Sequence, residues 1–201
     1  MKNLLLTSAL LLCASLAQAA EPLDKGPEGS AMAVFSGGCF WCTESDFDKV
    51  PGVLETISGY TGGAAETADY EQVSSGRTAH IESVAVFYDP QKTSYAKLVG
   101  AFWPTIDPLT ANAQFCDHGP QYRSAVYYAN EQQKQVLEAS LKKLKDSGRF
   151  DDPIVTAILP LKPFYPAEDY HQDYHNKNPL RYNFYRTTCG RDARLEELWG
   201  N

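Results

Sequence analysis

The stretch Ala31-Met32-Ala33-Val34-Phe35-Ser36-Gly37-Gly38-Cys39-Phe40-Trp41-Cys42 (31–42) changes character in the middle. Ala31–Phe35 is a short apolar run of the kind that forms a buried strand. Ser36-Gly37-Gly38 stops it, and a helix is expected from Cys39 to Val50, where Pro51-Gly52 ends it. Val53–Tyr60 then reads as a second strand closed by Thr61-Gly62-Gly63. The chain therefore begins its fold as strand, helix, strand.

Outward from there the pattern continues. Tyr70–Gly76 reads as a polar connector, and His80–Tyr88 alternates as a strand ended by Asp89-Pro90. Ser94 is placed to cap a helix from Tyr95 to about Trp103, and Asn130 to cap one that carries Val136, Leu137, Leu141 and Leu144 on one face. Between them lie a long irregular stretch, Thr105–Gly119, and a strand over Tyr122–Tyr128. Long loops within compact domains are often functional. Ile154–Leu159 is expected as a strand and Pro160–Pro166 as an extended connection. Residues 167–190 are aromatic and polar with little period, and Ala193–Trp199 closes with a short helix. Strands and helices alternating with uneven loops, and no internal repeat, give a single α+β domain over 31–201: a two-layer arrangement with helices packed on a mixed or antiparallel sheet.

The 201 residues suffice for one core, and 43% hydrophobic with 21% charged is ordinary for a globular protein. A formal charge of -7 argues against a general nucleic-acid binder. Lys2, the apolar Leu4–Leu12 and the small Ala17-Gln18-Ala19 form an export signal, expected to be cut after Ala19. The apolar run is too short for a membrane span, which takes roughly 20 residues. Leu12 before Cys13 is not the small residue that lipidation wants, so Cys13 leaves with the signal. Residues 20–30 then read as a flexible leader, and the mature protein is expected in a bacterial periplasm.

Four cysteines remain: Cys39, Cys42, Cys116 and Cys189. In an oxidising compartment they are open to pairing as two structural bridges, with three possible connectivities. Cys39 stands apart because it begins a helix, where unsatisfied N–H groups and the positive dipole end favour thiolate over thiol. Gly37 and Gly38 permit close approach to the backbone. Phe40 and Trp41 offer an apolar wall that suits a thioether methyl, since sulfur makes favourable contacts with aromatic rings. Alone, such a cysteine reads as a small buried hydrophobe; the glycines, helix start and aromatic pair together make it a nucleophile.

Gly-Gly-Cys-Phe-Trp-Cys (37–42), Gly-Tyr-Thr-Gly-Gly (59–63) and Tyr-Glu-Gln-Val-Ser-Ser-Gly (70–76) stand in this order. His-Ile-Glu-Ser-Val (80–84), Cys-Asp-His-Gly-Pro-Gln-Tyr-Arg-Ser-Ala (116–125) and Pro-Phe-Tyr-Pro-Ala-Glu-Asp-Tyr-His-Gln (163–172) follow. With these blocks the chain resembles the peptide methionine sulfoxide reductases of the A type over most of 31–180. The resemblance implies a ferredoxin-like fold and reduction of methionine S-sulfoxide, free or in proteins. It places Cys39 on the nucleophile, Phe40 and Trp41 on the pocket for the substrate methyl, and Glu82 on the general acid. Tyr70 and Tyr122 fall on hydroxyls that bind the sulfoxide oxygen, and Asp117 on an aspartate that shapes the pocket. Many members have glycine where Cys42 stands, and the Cys-Gly-Arg-Asp ending (189–192) follows only some bacterial members.

The chemistry agrees with those residue types. Thiolate attack on a sulfoxide sulfur leaves an oxygen in need of a proton, and burial raises a carboxyl pKa enough to supply one. Without its motif Glu82 would read as a solvated strand residue. The Cys39 sulfenic acid then condenses with a second thiol, and an external dithiol reduces the disulfide. Cys189, in a mobile tail, is the first choice for that thiol, with Cys42 and Cys116 as alternatives. The expected partner is a thioredoxin-like reductant; no cofactor, metal or stable membrane association is expected. Competing readings are a thioredoxin-like disulfide oxidoreductase using Cys39-x-x-Cys42, a metal site of cysteines with His80, His118, His171 or His175, and a peptide-binding module held by two disulfides. The cysteine and histidine spacings fit no common zinc pattern.

Overall fold

The computed structural model describes residues 19–200, so the expected export signal before Ala19 lies outside them. In chain order the elements are β1 (Ala31–Ser36), α1 (Phe40–Phe47), β2 (Val53–Thr61), α2 (Tyr70–Ser74), β3 (Ile81–Tyr88) and α3 (Tyr95–Phe102). Then come β4 (Ala113–Gln114), β5 (Asp117–His118), β6 (Ala125–Tyr128), α4 (Glu131–Asp146), β7 (Ala157–Pro160), β8 (Phe164–Pro166), α5 (Tyr174–Lys177), α6 (Pro179–Thr188) and α7 (Arg191–Trp199).

Six strands form one mixed sheet in the order β7-β6-β1-β3-β2-β8. β3 runs antiparallel to both β1 and β2, and β1 antiparallel to both β3 and β6; only β6 and β7 are parallel. Thus β1 and β2, joined through α1, flank β3, while β3 and β6, linked through α3, flank β1. These interleaved units are the ferredoxin-like split βαβ arrangement, so the α+β expectation holds.

Every residue of β3 is buried, as a central strand covered on both faces requires. Alternation then sorts the side chains. Val84, Val86 and Tyr88 join Phe35 of β1 and the helical Phe47, Leu98, Val99 and Phe102 in the main core, whereas Ala85 and Val34 join Tyr127 and Phe164 in a second cluster. Phe35, with ring centroids 4.5 Å from Phe47 and 5.2 Å from Phe102, fastens α1 and α3 to the sheet. Glu82 shares the even-numbered face of β3, so the pleat turns it toward α1 rather than toward water.

The caps read from the sequence are present: Ser94 accepts from the Lys97 N–H and Asn130 from the Gln133 N–H. Several boundaries differ. α1 ends at Phe47, three residues before Val50, and the strand expected over Tyr122–Tyr128 starts only at Ala125, with Tyr122 ending a 3₁₀ turn over 120–122. The 70–76 connector contains helix α2, capped by Asp69 through the Gln72 N–H and too short for its period to show. β7 starts at Ala157, three residues after Ile154. The aperiodic stretch 167–190 holds α5 and α6. The expected flexible leader is pinned to the domain. The Leu23 N–H donates to the Phe164 carbonyl at 2.7 Å, and Gly26 lies so close to the Phe87 ring that a Cβ would fall 2.1 Å from it.

Candidate active site

At the end of β1 the chain must turn sharply to start α1. Gly38 does so at φ +82, and a Cβ there would stand 2.4 Å from the Gln114 side chain. A Cβ on Gly37 would meet the Thr43 hydroxyl at 2.8 Å. The glycines thus admit the protein's own side chains, where a close approach by substrate was expected. The turn sets Cys39 at the N-cap of α1, with Phe40 as the first helical residue. The Phe40 N–H, one of the unpaired donors of that helix end, donates to Glu82 Oε2 at 3.1 Å.

Around this corner lies a cavity of about 60 Å³ lined by Cys39, Phe40, Trp41, Tyr70, Glu82, Asp117, Tyr122 and Tyr185. All seven residues expected to form the site from the nucleophile to the pocket are therefore together. Tyr70 begins α2 and is anchored by its N–H donating to Glu168 Oε1 at 2.8 Å. Tyr122 ends the 3₁₀ turn after Gly119. The adjacent Gln121 ties that turn to α2 through the Ser74 carbonyl at 3.1 Å. A larger cleft of about 470 Å³, lined by Glu44, Asp48, Glu55, Asp169 and Asp173 among others, holds no cysteine.

Burial sets the protonation states. It pushes the Glu82 carboxyl, 2% exposed, up to about 8 against the opposing Phe40 N–H, with Asp117 and Cys42 adding to the rise. Glu82 is thus a neutral acid at pH 7. Tyr70, raised to about 12, and Tyr122, also raised, mainly by burial, remain hydroxyl donors. Burial likewise raises Asp117, opposed by the hydrogen bond it accepts from the Tyr185 hydroxyl.

The two thiols of α1 are free and buried. Burial, then the neighbouring Cys42, pushes the Cys39 thiol well above its usual value. Cys42 is drawn down to about 7, first by the hydrogen bond from Cys39, then by Arg191 and Arg186 against its own burial. The helix start was expected to make Cys39 the thiolate of the resting protein. Burial overrides that, and of the two thiols it is Cys42 that ionises first, near neutral pH. Cys189, first choice for the condensing thiol, is already bonded to Cys116 with S–S 2.09 Å. Cys42 is the free thiol beside Cys39.

Trp41 is held in place rather than loosely exposed. Its indole N–H donates to His171 Nδ1 at 3.0 Å, and its ring stacks on Tyr174 at 3.7 Å. Accepting that bond puts the His171 proton on Nε2, and burial lowers its pKa to about 4, so the ring stays neutral. The sequence marks His171 only as a metal-ligand candidate and gives Tyr185 no role. The sequence held one signal for the latter: Tyr182, Tyr185 and Cys189 lie at helical spacing, which the extra aromatics of 167–190 obscured.

The other histidines also have local roles. His80 accepts from the Gly63 N–H and bonds the Ala64 carbonyl. His175 lies 3.4 Å from Asp48 and, with Asp173, offers three ligand atoms within 4.8 Å of one another. No cysteine joins that group. The thioredoxin-like alternative is disfavoured because it gives no role to the buried Glu82 carboxyl and the Tyr70 and Tyr122 side chains that line the cavity around Cys39.

The model of the family described as peptide methionine sulfoxide reductase matches residues 31–201. A peptide methionine sulfoxide reductase MsrA of Bacillus licheniformis is 49% identical over 173 residues, 86% of this chain and 96% of that one. MsrA 2 of Rhizobium meliloti is 47% identical over 199 residues, 98% of this chain and 94% of that one. Among solved structures, Mxr1 of Saccharomyces cerevisiae in reduced form superposes with a TM-score of 0.70 at 30% identity, covering 78% of this chain and 90% of that one. Methionine sulfoxide reductase A of Corynebacterium diphtheriae gives 0.67 at 36% identity, covering 77% and 78%. With a ferredoxin-like sheet presenting a cysteine, a buried acid and two tyrosines in one small cavity, this chain belongs to the peptide methionine sulfoxide reductase family.

Proposed function

We propose that Cys39 attacks the sulfur of methionine S-sulfoxide while Glu82 gives its proton to the departing oxygen. The observation that carries this reading is the buried Glu82 carboxyl, held as an acid to about pH 8 in the cavity that contains Cys39. The substrate methyl lies against Phe40 and Trp41, and the Tyr70 and Tyr122 hydroxyls donate to the sulfoxide oxygen, with Asp117 and Tyr185 closing the remaining wall. The proton that Cys39 loses has an acceptor in contact, the Cys42 sulfur. Attack forms a sulfur–sulfur bond at the substrate; transfer of the oxygen to Cys39 releases methionine and leaves a sulfenic acid.

Cys42 then passes the proton it took from Cys39 to the Glu82 carboxylate, left ionised by the first step, and the Cys42 thiolate attacks the Cys39 sulfur. The S–S bond forms, the S–O bond breaks, and the hydroxyl leaves as water with the proton of Glu82. An external dithiol, of the kind a thioredoxin-like protein carries, takes the two oxidising equivalents by thiol–disulfide exchange. Substrates are free and protein-bound methionine sulfoxide, which makes the enzyme one of repair after oxidative stress. The charged, apolar and small-residue pattern of residues 1–19, read as an export signal, supports a periplasmic location, and the Cys116–Cys189 disulfide suits an oxidising compartment.

Cys42→Ser tests the assignment. One equivalent of methionine should form, the sulfenic acid should persist and be trapped by a carbon nucleophile, and no bridge to Cys39 should appear by mass spectrometry. A Cys39 bridge to Cys189 or Cys116 in that variant would overturn the role of Cys42.

A further inference from the structure

Arg191 heads the fully buried side chains by size, and its exposure is 1%. Taking a guanidinium out of water costs several kcal/mol unless partners replace the water. Its Nη1 donates to the Gly37 carbonyl at 3.1 Å and its Nη2 to the Thr105 carbonyl at 2.6 Å; Phe115 faces the guanidinium at 4.5 Å. Its carboxylate partner is Asp46, at 3.5 Å, while Nε has none. Asp46 is shared: Arg186 binds its other oxygen at 2.8 Å. Arg186 also meets Asp192, but that side chain is 64% exposed and screened by water. Two guanidiniums therefore converge on one carboxylate whose side chain is only 10% exposed. The excess positive charge lies one helical turn from Cys42, which packs on Tyr182, itself bonded to Arg186 through its hydroxyl at 3.0 Å.

We propose that Arg191 is a positioning residue for the resolving step: it ties the C-terminal tail to the turn that carries Cys39, and it supplies the buried positive charge that the Cys42 thiolate balances. The inference rests on Cys42 as the resolving thiol. The groups that act on Cys42 come from every side: Cys39 and Asp46 on α1, Glu82 on β3, Tyr174 on α5, Tyr182 and Arg186 on α6, and Arg191 on α7. Of these, the two arginines favour the anion, drawing the thiol pKa down as their place beside Asp46 requires.

The test uses the full-length enzyme and one equivalent of methionine sulfoxide, with the rate of sulfenic acid loss followed from pH 5.5 to 9. The amplitude of the methionine burst counts the folded sites. Since the thiolate is the attacking species, Arg191→Gln should move the midpoint up by about one unit, slowing resolution about tenfold at pH 6. Arg191→Lys should return it toward 7. Asp46→Asn, which removes the negative charge, should move it down, an outcome that loss of packing does not produce. An unmoved midpoint in folded Arg191→Gln, or an upward or absent shift in Asp46→Asn, overturns the proposal; the latter decides it should both Arg191 variants fail to fold. A Cys42→Ser enzyme that still bridges Cys39 refutes the underlying assignment instead, so the two failures are distinct.

Discussion

Glu82→Gln should stop turnover and stabilise the protein. In the fold this carboxyl titrates at about 8, against an ordinary glutamate value of 4.5. A raised carboxyl pKa means that the native state binds the proton more tightly than the unfolded chain. The native state therefore carries no penalty below pH 4.5 and loses stability progressively as pH rises from 4.5 through 8. At about 1.4 kcal/mol per unit, keeping Glu82 protonated costs about 3 kcal/mol at pH 7. Glutamine retains the shape and an oxygen that accepts the Phe40 N–H, and it never ionises. The gain from Glu82→Gln should be about 3 kcal/mol at pH 7, roughly 6–12 °C in melting temperature for a domain of this size, shrinking to about 0.4 kcal/mol at pH 4.5. The loss of the acid should slow methionine formation by about 10²–10⁴-fold. Calorimetry of both proteins at pH 4.5 and 7, with single-turnover assays on the same samples, measures both effects. A variant that melts lower than wild type at pH 7, or gains equally at both pH values, would refute a buried, protonated Glu82.

Methionine formation by the wild type should fall as pH rises through about 8, because Glu82 is then no longer an acid; a rate that is flat to pH 9.5 contradicts this role. His171 titrates at about 4 in the fold, so it costs stability as pH falls from 6.5, about 2 kcal/mol by pH 5. Denaturant titrations should show that part of the acid sensitivity disappearing in His171→Asn, whatever that variant loses at pH 7. Cutting the Cys116–Cys189 bridge with Cys116→Ala, which frees a loop with a sequence separation of 73, should cost up to about 4 kcal/mol in the same titrations. Unchanged stability would mean that the tail is held by its other contacts alone.

Much of this architecture can be read from local patterns. The apolar run before Gly37, the alternation of 80–88 and the Ser94 and Asn130 caps are short-range signals, and the sheet is built on them. The pocket residues were legible as motif blocks, but their meeting depends on topology: β3 lies between β1 and β2, which brings Glu82 under the start of α1. What sequence hid was set by long-range burial. Cys39 looked anionic from its helix position, yet the desolvation that raises it comes from elements far along the chain. Arg191 reads as a surface charge in Cys-Gly-Arg-Asp; its partners Gly37, Asp46 and Thr105 are separated from it by 86 to 154 positions. Residues 167–190 have no visible period because their aromatics serve two faces, Tyr182 and Tyr185 inward and Phe184, 72% exposed, outward.

The most direct test of the central claim mixes reduced enzyme with resolved epimers of a methionine sulfoxide peptide, without external reductant. Methionine and the state of each cysteine are then read by mass spectrometry. The account predicts a methionine burst at Cys39 from the S epimer, ending in a Cys39–Cys42 bridge, with no burst in Cys39→Ser and almost none from the R epimer. Methionine formed at full rate by Cys39→Ser, or a burst that leaves Cys39 unmodified, would contradict it.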